Sequence, residues 1–399
     1  VAFPLIVLAL GHTISNMVRT LPAVSSDVVA SDLAVSTGDI AAMTGFYHLA
    51  FAAGQIPIGV ALDRYSVKSV VSVLLSIVAL GSVLSALVQG PAGFAITQAL
   101  LGIGCCGMLL CPLTYAARTT EPAQFALWSA VVLAVGNSGM VLSASPMAWV
   151  IEHFGWRLAF GLPALLSITV LTTVQLAIKP LRPSTERPAD IWPEIKQVIA
   201  IGLSPALRGV VILAFVSFAV MIGVRGLWGG AWLMDAKGLS RIEAGTALLG
   251  LTLMLIVMPM VVGLIARRFN RPYGMLTIGH VLAGSALLLL TAGANGGFVA
   301  WLFGVADLPA LYDVVLIAVF GALISVQPLL FSLGRAAVST QHAGKALAAV
   351  NLAFFAGAAV LQALSAPVNT GFGLSGVLVF LGLVCVLGAL AFWALRRPV

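Results

Sequence analysis

Apolar residues in this chain come in unbroken stretches of about twenty, set apart by short polar connections. Runs such as Val70–Val88 and Leu374–Leu395 carry no charge on any face. They show neither the alternation of a barrel strand nor the polar stripe of a helix on a water-soluble core. A helix crosses the hydrocarbon of a bilayer with about 20 apolar residues. The pattern therefore predicts twelve spans, at 2–25, 39–61, 69–89, 92–116, 124–149, 158–178, 207–233, 244–266, 273–293, 312–334, 343–366 and 373–395. Twelve helices of roughly 21 residues use about 252 positions and leave about 147 for loops and ends.

Composition agrees. Of 399 residues, 61% are hydrophobic and 8% charged, where a soluble domain carries about 25% charged residues. That excludes a cytosolic enzyme, a secreted domain and a disordered chain. The formal charge of +7 would suggest nucleic acid in a soluble protein. In a membrane chain it reads as basic residues collected in cytoplasmic loops, with no nucleic-acid partner. With the amino end in the cytoplasm, Arg64, Lys68, Arg118, Lys179, Arg182, Arg187, Lys196, Arg208, Arg267, Arg268, Arg271, Arg335, Lys345, Arg396 and Arg397 fall inside. Only Arg157, Lys237 and Arg241 fall outside, and Arg19 and Arg225 lie within spans. Asp27, Asp32, Asp39, Glu152, Asp235, Glu243, Asp307 and Asp313 lean outward. The expectation is a multi-pass protein of a bacterial-type inner membrane with both termini cytoplasmic. Cys105, Cys106, Cys111 and Cys385 all fall in apolar runs, without a CxxC pair, so neither a disulfide framework nor a metal motif is expected. No cleavable signal peptide is visible. Val1 already lies in a hydrophobic segment, so a short leader is expected to precede it.

The longest polar stretch, Lys179–Ser204, follows six spans and precedes six. Its prolines and charges predict a cytoplasmic linker, with Ile191–Ile201 as a short surface helix. The organisation expected is an amino-terminal six-helix bundle (1–178), a linker (179–206) and a carboxy-terminal six-helix bundle (207–399). Such a layout suits an all-α membrane transporter built from two pseudo-symmetric halves.

Between spans 2 and 3 stands Gly59-Val60-Ala61-Leu62-Asp63-Arg64-Tyr65-Ser66-Val67-Lys68. Gly59 is expected to permit close helix approach, Asp63 to pair with a basic residue and cap a neighbouring helix, and Arg64 and Lys68 to sit among headgroups. The segment resembles the gating signature of the major facilitator superfamily, departing from it at Ser66 and Val67. The second half carries a decayed copy, Gly263-Leu264-Ile265-Ala266-Arg267-Arg268-Phe269-Asn270-Arg271, with Arg267 in place of the acid. The turn Gly155-Trp156-Arg157 is similar to the superfamily as well. The resemblance implies a twelve-helix transporter without cofactor or catalytic residue, working as a monomer. In span 4 the family often has an arginine where Gln98 precedes Gly102 and Gly104. In span 5, Gly136, Asn137, Ser138 and Gly139 reach a proline only at Pro146, unlike the usual drug-exporter pattern.

Arg19 and Arg225 each lie about 17 to 18 residues into spans 1 and 7, equivalent members of the two halves. An arginine at helix centre costs roughly 2.5–3.5 kcal/mol. With no carboxylate in a matching span, water or a bound anion must offset that cost, and a guanidinium fork suits carboxylate or phosphate. The pair resembles the organophosphate:phosphate antiporter branch of the superfamily. It implies that the two groups face each other across the pseudo-two-fold axis and grip an anion. Snorkelling to headgroups or bonding of backbone carbonyls are the alternatives. His12, Asn16 and Arg19 share one side of span 1, as Met221, Arg225, Trp228 and Trp232 share one side of span 7. The tryptophans serve either as an aromatic wall of the site or as an interface belt.

Tyr47, His48 and Gln55 offer polar groups in span 2. His48 and His12 are candidate proton-coupling groups, each also readable as a packing histidine. His280 is expected to be peripheral. Gln98, Asn137, Gln327 and Asn351 are candidate hydrogen-bonders to substrate or between helices. The function expected is secondary transport of a small organic or phosphate-type anion, by exchange or proton symport. The alternatives are an exporter of drugs or lipophilic compounds, and a copper(I) importer using Met254, Met258 and Met260 with Cys105, Cys106 and Cys111. A membrane enzyme would want clustered His and acids, and His12, His48, His153, His280 and His342 are scattered.

Overall fold

The computed structural model describes residues 2–180, 191–339 and 342–396. Arg182, Arg187 and Arg397 lie outside the described residues. The apolar stretches form helices with edges close to those read from the sequence: Ala2–Val24, Thr37–Arg64, Val67–Leu87, Pro91–Thr119, Leu127–Phe154, Trp156–Ala177, Arg208–Ala236, Arg241–Phe269, Pro272–Ala292, Ala310–Ala336 and the rod Ala343–Ala394. The rod is spans 11 and 12 joined at Gly373, whose φ of 64° is a backbone region that only glycine enters without a Cβ clash. With twelve crossings both chain ends share one face, called here the terminal face.

Equivalent spans of the two halves start alike. Span 2 opens with a capping box, Ser36 Oγ accepting from the Asp39 N–H (3.1 Å) and Asp39 accepting from the Ser36 N–H (2.9 Å). Span 8 repeats this with Ser240 and Glu243 (3.3 and 2.8 Å). The caps satisfy N–H groups that no preceding turn can reach. Spans 4 and 10 both break after fifteen helical residues, at 106–109 and at 325–328. Span 5 breaks at Ser143–Ala144. Each break lies just before or at a proline, Pro112, Pro328 or Pro146, which lacks the N–H to close the turn before it. Hydroxyls inside spans fold back on carbonyls, as Ser85 does on Gly81 (2.8 Å) and Ser325 on Gly321 (2.6 Å). That answers the demand for internal hydrogen bonding in hydrocarbon.

In the first half span 1 packs on span 5, span 3 on span 6 and span 2 on span 4; in the second, span 7 packs on the last rod, span 8 on span 10, and span 9 on spans 10 and 12. Span 7 is the most enclosed of the described spans and span 8 the least. The expected linker helix forms at Ile191–Gly202 and lies against spans 2 and 11, where Lys345 pairs with Glu194 at 3.1 Å.

The two halves meet along spans 2 and 11 and in a seam at the face opposite the termini. There a Cβ on Gly230 would stand 1.6 Å from the Ala23 carbonyl oxygen, so only glycine fits. Arg241 of span 8 crosses the seam to Asp27 (2.7 and 2.8 Å), Glu152 (3.2 Å) and the Val24 carbonyl (2.7 Å). The other two basic residues at that face are paired as well, Arg157 with Asp32 (2.7 Å) and Lys237 with Asp307 and Asp313 (2.5 and 3.1 Å).

Candidate functional site

Span 1 presents two polar edges. One is spent on span 5: Thr13 donates to the Val135 carbonyl (2.8 Å), Asn16 to the Gly136 carbonyl (2.9 Å) and Asn137 Oδ1 (3.4 Å), and Thr20 meets Ser143 (2.5 Å). His12 lies 3.4 Å from Asn16 and presses on Gly136, where a Cβ would come within 1.9 Å of the ring. His12, Asn16 and Asn137 thus join two helices of one half.

Arg19 is on the other edge. Its guanidinium carbon sits 5.6 Å from the Phe218 ring centre and 5.7 Å from that of Phe355, so it reaches spans 7 and 11 of the opposite half. Each such contact is worth about 0.5–2 kcal/mol, which covers only part of the desolvation. Its Nε is buried without a hydrogen-bond partner. Around it an aromatic cluster bridges the halves. Phe355 stacks on Phe51 (3.8 Å) and His48 (6.3 Å), Phe218 on Phe354 (5.6 Å), and Tyr47 lies against His48 and Phe51 (5.2 and 6.0 Å). Tyr47 meets Ser15 of span 1 at 3.4 Å. His48 Nδ1 lies 3.3 Å from the Thr44 carbonyl. Gln362 lies beside its ring. Gln98 Nε2 in span 4 is buried without a hydrogen-bond partner.

Arg225 occupies a π-helical turn, Val224–Trp228, and is fully buried. Its Nε donates to Thr252 of span 8 (2.6 Å), and its Nη2 to the Met140 carbonyl and to Ser143 (3.3 Å), both in span 5. In this structure the fork ties the halves together, while Nη1 is buried without a hydrogen-bond partner. No contact between the two guanidinium groups is among those described; each has its own partner set.

The interface-belt alternative for the tryptophans fails. Trp228 and Trp232 are both buried, donating to Ser365 (3.0 Å) and Asp313 (2.8 Å). Gln327 donates to Ser217 (2.9 Å), which also meets His280 (2.6 Å). Asn351 donates to Gln55 (2.6 Å), and Gln55 to the Cys106 carbonyl (2.7 Å), a chain crossing from span 11 to span 4. In the loop motif, Lys68 donates to the Gln175 carbonyl (2.7 Å), and Arg118 to the Leu62 carbonyl (2.8 Å) beside Asp63 and Arg64. Gly59 departs from its expected role: among the described residues, nothing from another helix lies within 4 Å of where its Cβ would stand. The proposed copper ligands are split, with Cys105, Cys106 and Cys111 buried in span 4 and Met260 exposed on span 8.

Sequence reasoning missed two features. Asp313 and Lys237, read as residues of the outer ends, have almost completely buried side chains. The aromatic cluster was also missed; the Phe354–Phe355 pair and Phe51 were its visible signal.

The family model described as Major Facilitator Superfamily matches residues 8–361. The tetracenomycin C resistance and export protein of Streptomyces glaucescens is 23% identical over 355 residues, 71% of this chain and 62% of that protein. An MFS-type efflux pump of Mycolicibacterium smegmatis is 25% identical over 247 residues, 60% of this chain and 56% of that protein. The chain thus spans about three-fifths of the length of these curated relatives. Among solved structures, a bacterial homologue of the human lysosomal transporter Spinster, inward-facing and unoccupied, matches with TM-score 0.81 at 15% identity, covering 99% of this chain and 96% of that one. A D-xylose–proton symporter matches with TM-score 0.78 at 15% identity, covering 98% and 97%. At such identities the likeness is one of fold.

Proposed function

The chain belongs to the major facilitator superfamily and is a multi-pass membrane transporter, not an enzyme; from that premise we propose that it carries an organic anion with an apolar body, held between the halves by Arg19. The observation that carries the reading is the Arg19 guanidinium, which reaches Phe218 and Phe355 while its buried Nε lacks a partner. A carboxylate or phosphate satisfies that fork, and the phenylalanines cover the rest of the molecule. Arg225 serves the same anion in the alternate state. Its bonds to Met140 and Ser143 break when the seam opens, and the released fork then meets the anion. That exchange supplies the differential interaction a ligand-driven change requires. The remaining site residues are Tyr47, His48, Gln98 and Trp228, with His48 the group through which proton coupling runs. His12, Asn16, Asn137, Gln327 and Asn351 hold the helices that carry the site, and Asp63, Arg64 and Lys68 act at the gate. The charge bias supports cytoplasmic termini, as in a protein of an inner membrane. The working unit is a monomer, because one chain holds both halves.

A second reading is export of an uncharged or cationic lipophilic compound. The export protein and efflux pump among the relatives favour it, as does the phenylalanine cluster. Thermal-shift screening of organic carboxylates, organic phosphates and lipophilic cations separates the two. The anion reading expects stabilisation by anions that disappears in Arg19→Gln, with proteoliposome uptake lost and folding intact. Stabilisation by cations alone, or full transport in Arg19→Gln, overturns it.

A further inference from the structure

A second recess lies far from Arg19, wholly within the second half. Spans 8, 9, 10 and 12 enclose a groove of about 790 Å³ at the terminal face. Its walls are apolar, including Val262, Ile265, Ile278, Leu282 and Leu323, and its mouth carries Arg271 and Arg396. Arg396 lies over Trp393, its guanidinium carbon 3.1 Å from the ring centre. Among the described residues neither arginine has a carboxylate within ion-pair distance, and no acidic residue lines the groove. Arg267 and Arg268 end span 8 beside it.

The dimensions define the occupant. From Pro272 to Leu282 the groove follows eleven residues of span 9, ten helical rises or about 15 Å. That is half of a hydrocarbon core about 30 Å thick, the depth of a single leaflet. Ile265, Phe269, Ile278 and Leu282 are exposed on the helix surface, so the groove opens sideways into lipid rather than toward the space between the halves. A soluble anion would satisfy the arginines and leave the walls bare. A zwitterionic lipid would fill the walls and bring its own cation to the mouth.

We propose that this groove holds one anionic phospholipid, its phosphodiester on Arg271 and Arg396 and one acyl chain running along span 9 to Leu282. Ala322, Leu323 and Val326 of span 10 also line it, so the chain packs against the segment where span 10 loses its helix. The lipid therefore lies beside the break in span 10, against which span 9 packs closely at Gly279.

The test is native mass spectrometry of the purified full chain, delipidated and then titrated with phosphatidylglycerol or phosphatidylcholine of matched acyl chains. The expected result is one retained phosphatidylglycerol, no comparable retention of phosphatidylcholine, and no displacement by millimolar inorganic phosphate. At about one kcal/mol per arginine, Arg271→Gln with Arg396→Gln weakens retention about thirtyfold. Arg335→Gln, at the same face but outside the groove, leaves it unchanged. Leu282→Trp keeps both arginines, plugs the lower end and also lowers retention. Equal retention of both lipids, displacement by phosphate, wild-type retention in the double variant, or equal loss in Arg335→Gln each overturns the proposal.

Discussion

Replacing Asp27 by Asn tests whether the seam at the face opposite the termini is held electrostatically. Arg241 reaches both carboxylate oxygens of Asp27 at 2.7 and 2.8 Å, and the side chains are 11% and 32% exposed. Exposed pairs contribute about 0–1 kcal/mol, and removing one partner of a buried pair costs about 3–5 kcal/mol. This half-buried, bidentate pair falls between, at about 2 kcal/mol, or roughly thirtyfold in the balance between closed and open seam. The pH dependence follows. Burial pushes the Asp27 carboxyl up, but the hydrogen bonds and charge of Arg241, with backbone N–H groups, more than reverse this and hold it below its ordinary value. A lowered folded value means that the stabilisation is complete above the unfolded value of about 3.9 and is lost as pH falls through the folded one. Spin labels on Ser31→Cys and Ala306→Cys, exposed at that face in separate halves, report the opening by pulsed dipolar spectroscopy. Asp27→Asn should enlarge the long-distance population at neutral pH, and the parent should approach the same distribution in acid. A double-mutant cycle with Arg241→Gln should give coupling of about 2 kcal/mol. Coupling below about 0.3 kcal/mol together with an unchanged distance distribution would refute the reasoning.

Two further outcomes follow from the packing. Gly230→Val puts a side chain where even a Cβ meets the Ala23 carbonyl at 1.6 Å, so the seam cannot close, and the same labels should report a permanently separated face. Gln55→Leu removes the link to Asn351 and leaves the Cys106 carbonyl unpaired. Thermal unfolding in micelles should show a loss of about 1–3 kcal/mol, and Asn351→Leu added to it should cost little more.

The spans were legible because a bilayer imposes a length and a composition that few other environments share. The breaks were not. Pro112, Pro146 and Pro328 interrupt their helices, while Pro57, Pro163 and Pro259 sit within continuous ones, so proline marks a place where a break is possible and tertiary packing decides. Arg19 and Arg225 were conspicuous as charges in apolar runs. Their partners were not, because the Met140 carbonyl belongs to a backbone that every residue possesses. Gly59 shows the opposite error, since a glycine in a familiar motif implied a contact that this structure does not make. Asp313 was misjudged by its position near a span end, where Lys237 and Trp232 fold over it.

The paired interruptions in spans 4 and 10 change what motion the fold demands. Below them hang separate helices of ten and eight residues, Leu110–Thr119 and Leu329–Ala336, paddles about 15 and 12 Å long. Swung through about 20 degrees, the longer one moves its tip roughly 5 Å, enough to widen or narrow a passage by a good part of a small solute's breadth. Bending of these two short arms can then adjust the width of a passage at the terminal face in addition to the opening of the seam between the halves.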